Sequence, residues 1–209
     1  MVNLLLVHGM GRTPMSMRRL ARALQRGGHT VHRLGYSATL ESMEQISARV
    51  RSQLELLSHD GRALVVVGHS LGAVLLRMAI GREPAMHNPP RHLVMLGPPN
   101  QSPRLARRLR GFWPYRFFNG DAGQRLADPD FLAHLPPLRI PYTILAGTGG
   151  RRGRLSPFGN DPNDGLVALS ETRLLPDDPV IEVPARHTFL MNHRQVRQEI
   201  LQIIAANAE

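Results

Sequence analysis

Residues 63–76 read Ala-Leu-Val-Val-Val-Gly68-His69-Ser70-Leu71-Gly72-Ala-Val-Leu-Leu: an apolar run, a five-residue turn and a second apolar run. The first run, at 63–67, is β-branched and unbroken by any polar residue, as a strand buried on both faces of a parallel sheet must be. The second, at 73–80, is long enough for an apolar helix. Between them Gly68-His69-Ser70-Leu71-Gly72 is a G-x-S-x-G turn in strand–turn–helix context. A serine on so sharp a turn is strained, and its hydroxyl is exposed at the end of the sheet. The glycines two residues to either side are required because a Cβ there collides with the neighbouring strand or helix. The plain alternative is a serine that only caps a helix. The flanking apolar runs favour a nucleophile.

Outward from that turn the chain alternates short apolar runs with amphipathic stretches. Strands are expected at 3–7 (NLLLV), 30–34, 63–67, 93–96, 142–146 and 180–183, and helices at 16–26, 40–57, 73–80 and 195–206. In the second helix Met43, Ile46, Val50, Leu54 and Leu57 recur every three or four residues. About six strands with intervening helices predict an α/β fold, its sheet mainly parallel. Between Gly97 and Pro141 the pattern fails. The stretch 98–140, rich in proline, arginine and aromatics, is expected as an insertion over the carboxyl ends of the strands, within one domain spanning 1–209.

Composition removes several function classes. There is no cysteine, hence no disulfide framework, thiolate metal site or cysteine nucleophile. No apolar run reaches the ~18–20 residues of a membrane span, and residues 2–7 lack the basic flank and small-residue cleavage site of a secretion signal. A mature, soluble, cytoplasmic chain is expected. The formal net charge is +10, and all 26 basic residues are arginine. They are scattered rather than blocked, which suits compositional bias better than a nucleic-acid footprint. No helix-turn-helix, zinc or RNP-like pattern accompanies them, so no nucleic-acid partner is expected.

The first strand ends in Leu6-Val7-His8-Gly9-Met10-Gly11. A turn of small residues there can aim a backbone N–H into a site beside Ser70. Acyl transfer needs two such donors for the developing oxyanion, each worth roughly 3–4 kcal/mol. The candidates are the amides of Met10 and Leu71. His8, inside the glycine turn, is expected to shape that loop rather than act as a base.

Taken in order, LLLVHGMG (4–11), GHSLGA (68–73), VMLGPPNQS (94–102), NDGLVAL (163–169) and the late His187-Thr188 resemble the α/β-hydrolase superfamily, and within it the compact bacterial lipase-like and esterase-like serine hydrolases. The resemblance implies a three-layer α/β/α fold. With the HG turn on its first strand, the chain is expected to be a minimal version lacking the first two family strands. In the family the catalytic order is serine, acid, histidine, which maps onto Ser70, Asp164 and His187. Asp161 fits a loop aspartate in an Asx turn better. His193 rivals His187 because Met191-Asn192-His193 also resembles a lipase histidine motif, but it abuts the last helix, whereas His187 follows the final strand. The large lipases of the family carry a calcium-binding aspartate two residues beyond the histidine. Phe189 or Gln195 stands there, so no metal is expected, and no cofactor.

The implied activity is hydrolysis of a small-molecule or lipid ester through an acyl-enzyme on Ser70. An acyltransferase or thioesterase with the same residues, or a catalytically silent binding module on the same fold, are the alternatives. The stretch 104–118 mixes five arginines with Phe112, Trp113, Tyr115, Phe117 and Phe118. It is expected to wall or lid the acyl pocket; packing of the aromatics on the core, or transient contact with an anionic membrane surface, are the other readings.

Overall fold

The computed structural model describes residues 1–82 and 84–207, with the side chains of all of these except Tyr115 and Phe118. Six strands form one sheet: β1 (Asn3–Val7), β2 (Thr30–Leu34), β3 (Leu64–His69), β4 (His92–Leu96), β5 (Tyr142–Gly147) and β6 (Val180–Val183). Their order is β2-β1-β3-β4-β5-β6 and every pair is parallel. The order reverses between β1 and β3, so the crevice at their carboxyl ends lies at a topological switch point, where sheets of this kind bind ligands. The His8-Gly9-Met10 turn and Ser70 both leave the sheet there.

Alternation along the central strands builds two cores. Leu5, Val7, Val66, Leu93, Met95 and Ile144 pack on one face, against α2 (Met43–Ser58) and α3 (Leu71–Gly81). Leu4, Leu6, Val65, Val67, Val94 and Leu96 pack on the other, against α1 (Arg18–Arg26) and α8 (Arg194–Ala206). The central strands are apolar throughout because each face of the sheet is covered by helices. Strand β2, at the edge, is only partly buried along most of its length.

Local chemistry moves several element ends. α2 starts at Met43 because Ser42 caps it, its side chain accepting from Gln45 N–H while the Gln45 side chain accepts from Ser42 N–H; Leu40 is left exposed. α3 begins at Leu71, directly after the serine. Residues 14–17 form a 3₁₀ turn before α1.

The stretch 98–140 is helical rather than irregular. It holds α4 (Arg104–Leu109), α5 (Trp113–Leu126) and α6 (Pro129–Ala133), with α5 kinked at Gly120 where φ is 51°. No residue of α4 is fully buried, so that helix has no apolar stripe to betray it in the sequence. Among the described residues, no helix is long and apolar enough to cross a membrane.

Candidate active site

Ser70 sits between β3 and α3 with φ 53° and ψ −122°. Among the described residues it is the only non-glycine with positive φ. Such a conformation costs of order 1–3 kcal/mol and persists only where its surroundings enforce it. Enforcement is visible on each side. Ser70 N–H donates to Leu96 C=O at 2.9 Å. A Cβ on Gly68 would lie 2.5 Å from the Ala73 backbone, and one on Gly72 would run into the carbonyl oxygens of Val7 and His8. Both glycines of the turn are therefore fixed by backbone contacts that cannot give way. The β1 turn is equally close: a Cβ on Gly9 would stand 3.1 Å from that of Ser70.

Asp164 and His187 are joined. Asp164 Oδ2 lies 2.6 Å from His187 Nδ1, and the two side chains are 1% and 7% exposed. The other carboxylate oxygen, Oδ1, accepts from the N–H groups of Leu166 at 2.9 Å and Val167 at 2.8 Å. His187 N–H donates to Asp164 C=O at 2.9 Å, so backbone and side chain hold the pair together. A carboxylate only accepts, so the network assigns the imidazole proton to Nδ1 and leaves Nε2 as an acceptor. Gly97, with φ 56°, ends β4 under this pair; a Cβ there would come within 3.2 Å of both Asp164 Oδ2 and His187 Nδ1. Asn163, fully buried, braces the acid loop by accepting from Gly165 N–H and donating to the carbonyls of Arg151 and Asp161.

One cavity of about 390 Å³ is bordered by Ser70, His187, Met10 and His69. Met10 and Leu71 leave their N–H groups without a protein partner among the described residues; as the first residue of α3, Leu71 has none available within the helix. The lining from α4 and α5 is mainly aliphatic, with Leu105, Ala106, Leu109 and Leu126 beside Asn119, while Arg12 and Thr188 add polar groups elsewhere on the wall. The aromatics expected there are elsewhere: Phe112, Trp113 and Phe117 are 56%, 71% and 66% exposed, and the side chains of Tyr115 and Phe118 fall outside the described residues.

The remaining candidates separate from the site. His193 caps α8, its Nδ1 accepting from Gln195 N–H at 3.3 Å, and does not border the cavity. Asp161 does not form the expected Asx turn. Its carboxylate pairs with Arg104 and accepts from Ser170 Oγ at 2.7 Å. Arg104 also bonds Glu171 Oε1 through its backbone N–H at 2.8 Å and its Nε at 2.9 Å, which raises its pKa further and ties the root of α4 to the acid loop. His8 is buried, stacked on Tyr36 at 4.1 Å between ring centroids, with Nδ1 2.9 Å from Gly9 C=O. Burial lowers its pKa.

His69 was not singled out by the sequence. Its ring is tilted against that of His187, centroids 4.8 Å apart, and Nε2 lies 3.0 Å from His187 C=O. A carbonyl only accepts, so Nε2 carries the proton. Burial, and then the charge of the neighbouring His187, holds the His69 pKa well below that of a free histidine. The ring is thus a neutral strut under the backbone of His187. Its position inside the serine turn is the one signal that points to it. Among the described residues, no three acidic or histidine side chains gather to hold a metal ion.

The sequence pattern of the alpha/beta hydrolase family matches residues 4–204. No curated protein sequence matches the chain. Among solved structures, the mature form of the Bacillus licheniformis lipase BlEst2 is similar with a TM-score of 0.77 at 20% identity, over 97% of this chain and 91% of that one. A structure from work on the metagenome-derived lipolytic enzymes LipS and LipT gives 0.72 at 15%, over 98% and 94%. The phospholipase PlaB of Legionella pneumophila gives 0.65 at 18%, over 83% of this chain and 46% of that one. The chain belongs to the alpha/beta hydrolase family.

Proposed function

We propose that this chain hydrolyses carboxylic esters through an acyl-enzyme on Ser70, with His187 as general base and acid and Asp164 as its partner. The observation that carries the reading is the strained Ser70 bordering the same cavity as His187, whose Nδ1 meets a buried carboxylate. His187 Nε2 takes the Ser70 proton as Oγ attacks the ester carbonyl. The Met10 and Leu71 N–H groups receive the negative charge that develops on the carbonyl oxygen, and Asp164 stabilises the imidazolium. The proton then passes to the departing alkoxide. Water, deprotonated by the same nitrogen, cleaves the acyl-enzyme and frees the acid.

The mainly aliphatic wall from α4 and α5 suits an acyl chain, and the likeness to proteins named as lipases and a phospholipase supports lipid esters as substrates. Exposed Phe112, Trp113 and Phe117 stand among exposed Arg107, Arg108, Arg110 and Arg116, with no acidic residue between 104 and 120. Apolar rings flanked by cations suit an anionic lipid surface, at which such esters are met.

Hydrolysis of p-nitrophenyl esters of increasing acyl length is the test. The wild type is expected to turn them over, and Ser70→Ala to lose about a thousandfold or more while keeping its circular dichroism spectrum. Full activity in Ser70→Ala would contradict the assignment.

A further inference from the structure

A second cavity, of about 460 Å³, shares no lining residue with the first. It lies between α3, α6, the start of β5 and the loop carrying Leu174 and Leu175, and its wall is mostly apolar. At one end stands Arg77 of α3, only 5% exposed. Its Nε and Nη1 are sealed from solvent and have no hydrogen-bond partner among the described residues. Nη2 reaches Leu132 C=O at 3.4 Å, the outer limit of a bond. Asn100, beside it on the cavity wall, is 2% exposed and leaves Oδ1 equally unpartnered.

An arginine stays charged in a protein interior, and a buried charge without a counter-ion costs several kcal/mol. Among the described residues, no carboxylate pairs with Arg77. Asp178, on the neighbouring loop, accepts from Tyr142 Oη at 2.7 Å and from the N–H groups of Leu174 and Leu175, and makes no ion pair with Arg77. Burial lowers the Arg77 pKa, with no carboxylate to oppose it. Water alone is a poor remedy, because a buried water needs two to four polar partners and most of this wall offers none. The volume is in the range of small-molecule sites, ~300–1,000 Å³.

We propose that this cavity binds a medium-chain carboxylate, its headgroup paired with the Arg77 guanidinium and its alkyl chain along Leu132, Leu135, Leu138 and Leu175. A carboxylate carries the opposite charge and accepts from Nη2, the guanidinium nitrogen whose protein bond is long. The chain occupies the part of the cavity where water is disfavoured. The site is independent of Ser70 and stands or falls apart from the ester chemistry.

Calorimetric titration with decanoate, decanol and inorganic phosphate, alongside thermal unfolding, tests this. The wild type is expected to bind decanoate at a site that Arg77→Met weakens at least tenfold, with decanol and phosphate failing to occupy it. Decanoate should raise the melting temperature of the wild type and lose that effect in Arg77→Met, which should itself melt higher than the ligand-free wild type because an unpaired charge is gone. Leu138→Trp keeps Arg77 but fills the cavity, and should abolish the same shift. Equal decanoate binding by wild type and Arg77→Met, or an Arg77-dependent site that takes phosphate but not decanoate, would overturn the proposal.

Discussion

Ser70, Asp164 and His187 depend on main-chain groups as much as on one another. The serine is held in its strained turn by Leu96 C=O and by two glycines that admit no Cβ. The aspartate is held by the amides of Leu166 and Val167, and the histidine by its own N–H on Asp164 C=O and by the neutral His69 ring beneath it. His193 lacks such support and spends its ring nitrogen on the α8 cap. His187→Ala is therefore expected to lower kcat for p-nitrophenyl butyrate by about a thousandfold or more, and His193→Ala to leave it within about threefold, with at most the ~1 kcal/mol stability loss of a missing cap. The opposite result would move the base to position 193. At this scale the sequence was informative wherever a residue type is tied to a role, as in G-x-S-x-G. It was silent on Gly97, His69 and Arg104, whose roles come from long-range contacts that local spacing does not encode.

The central strands were legible because a strand covered on both faces is apolar along nearly its whole length, as NLLLV and ALVVV are, whereas the partly buried edge strands β2 and β6 read more weakly. Helices α4 to α6 were not. They bury little, and their arginines and prolines mimic a loop. The part of the cavity wall supplied by α4 and α5 consequently falls mainly to aliphatic residues, while Phe112, Trp113 and Phe117 point to solvent. On the proposed reading, the start of α5 meets an anionic membrane surface. Trp113 is the sole tryptophan, so its emission reports the contact without labelling. A blue shift is expected with vesicles of phosphatidylglycerol, lost at high salt and absent with phosphatidylcholine. A shift of equal size on both lipids would remove the arginines from the account, and none on either would remove the surface.

Across the whole molecule, the net charge of +10 makes acidification costly, and the buried histidines sharpen the effect. His8, His69 and His92 all have pKa values lowered chiefly by burial. The native state therefore binds fewer protons at these rings than the unfolded chain, whose histidines titrate near ~6.5. Their contribution to stability is fully present above that pH and is lost as pH falls below it. The urea midpoint is expected to drop between pH 7.5 and 5.5. His69→Gln, which keeps a donor for His187 C=O but does not titrate, should reduce the drop. An unchanged midpoint would place these rings in solvent in the folded protein. The central claim, that this fold presents one activated hydroxyl to a carbonyl, is tested most directly by intact-protein and peptide mass spectrometry after treatment with a fluorophosphonate. A single adduct on Ser70, absent in Ser70→Ala and slowed in His187→Ala, is the expected result; an unmodified chain, or an adduct at another residue that persists in Ser70→Ala, would contradict it.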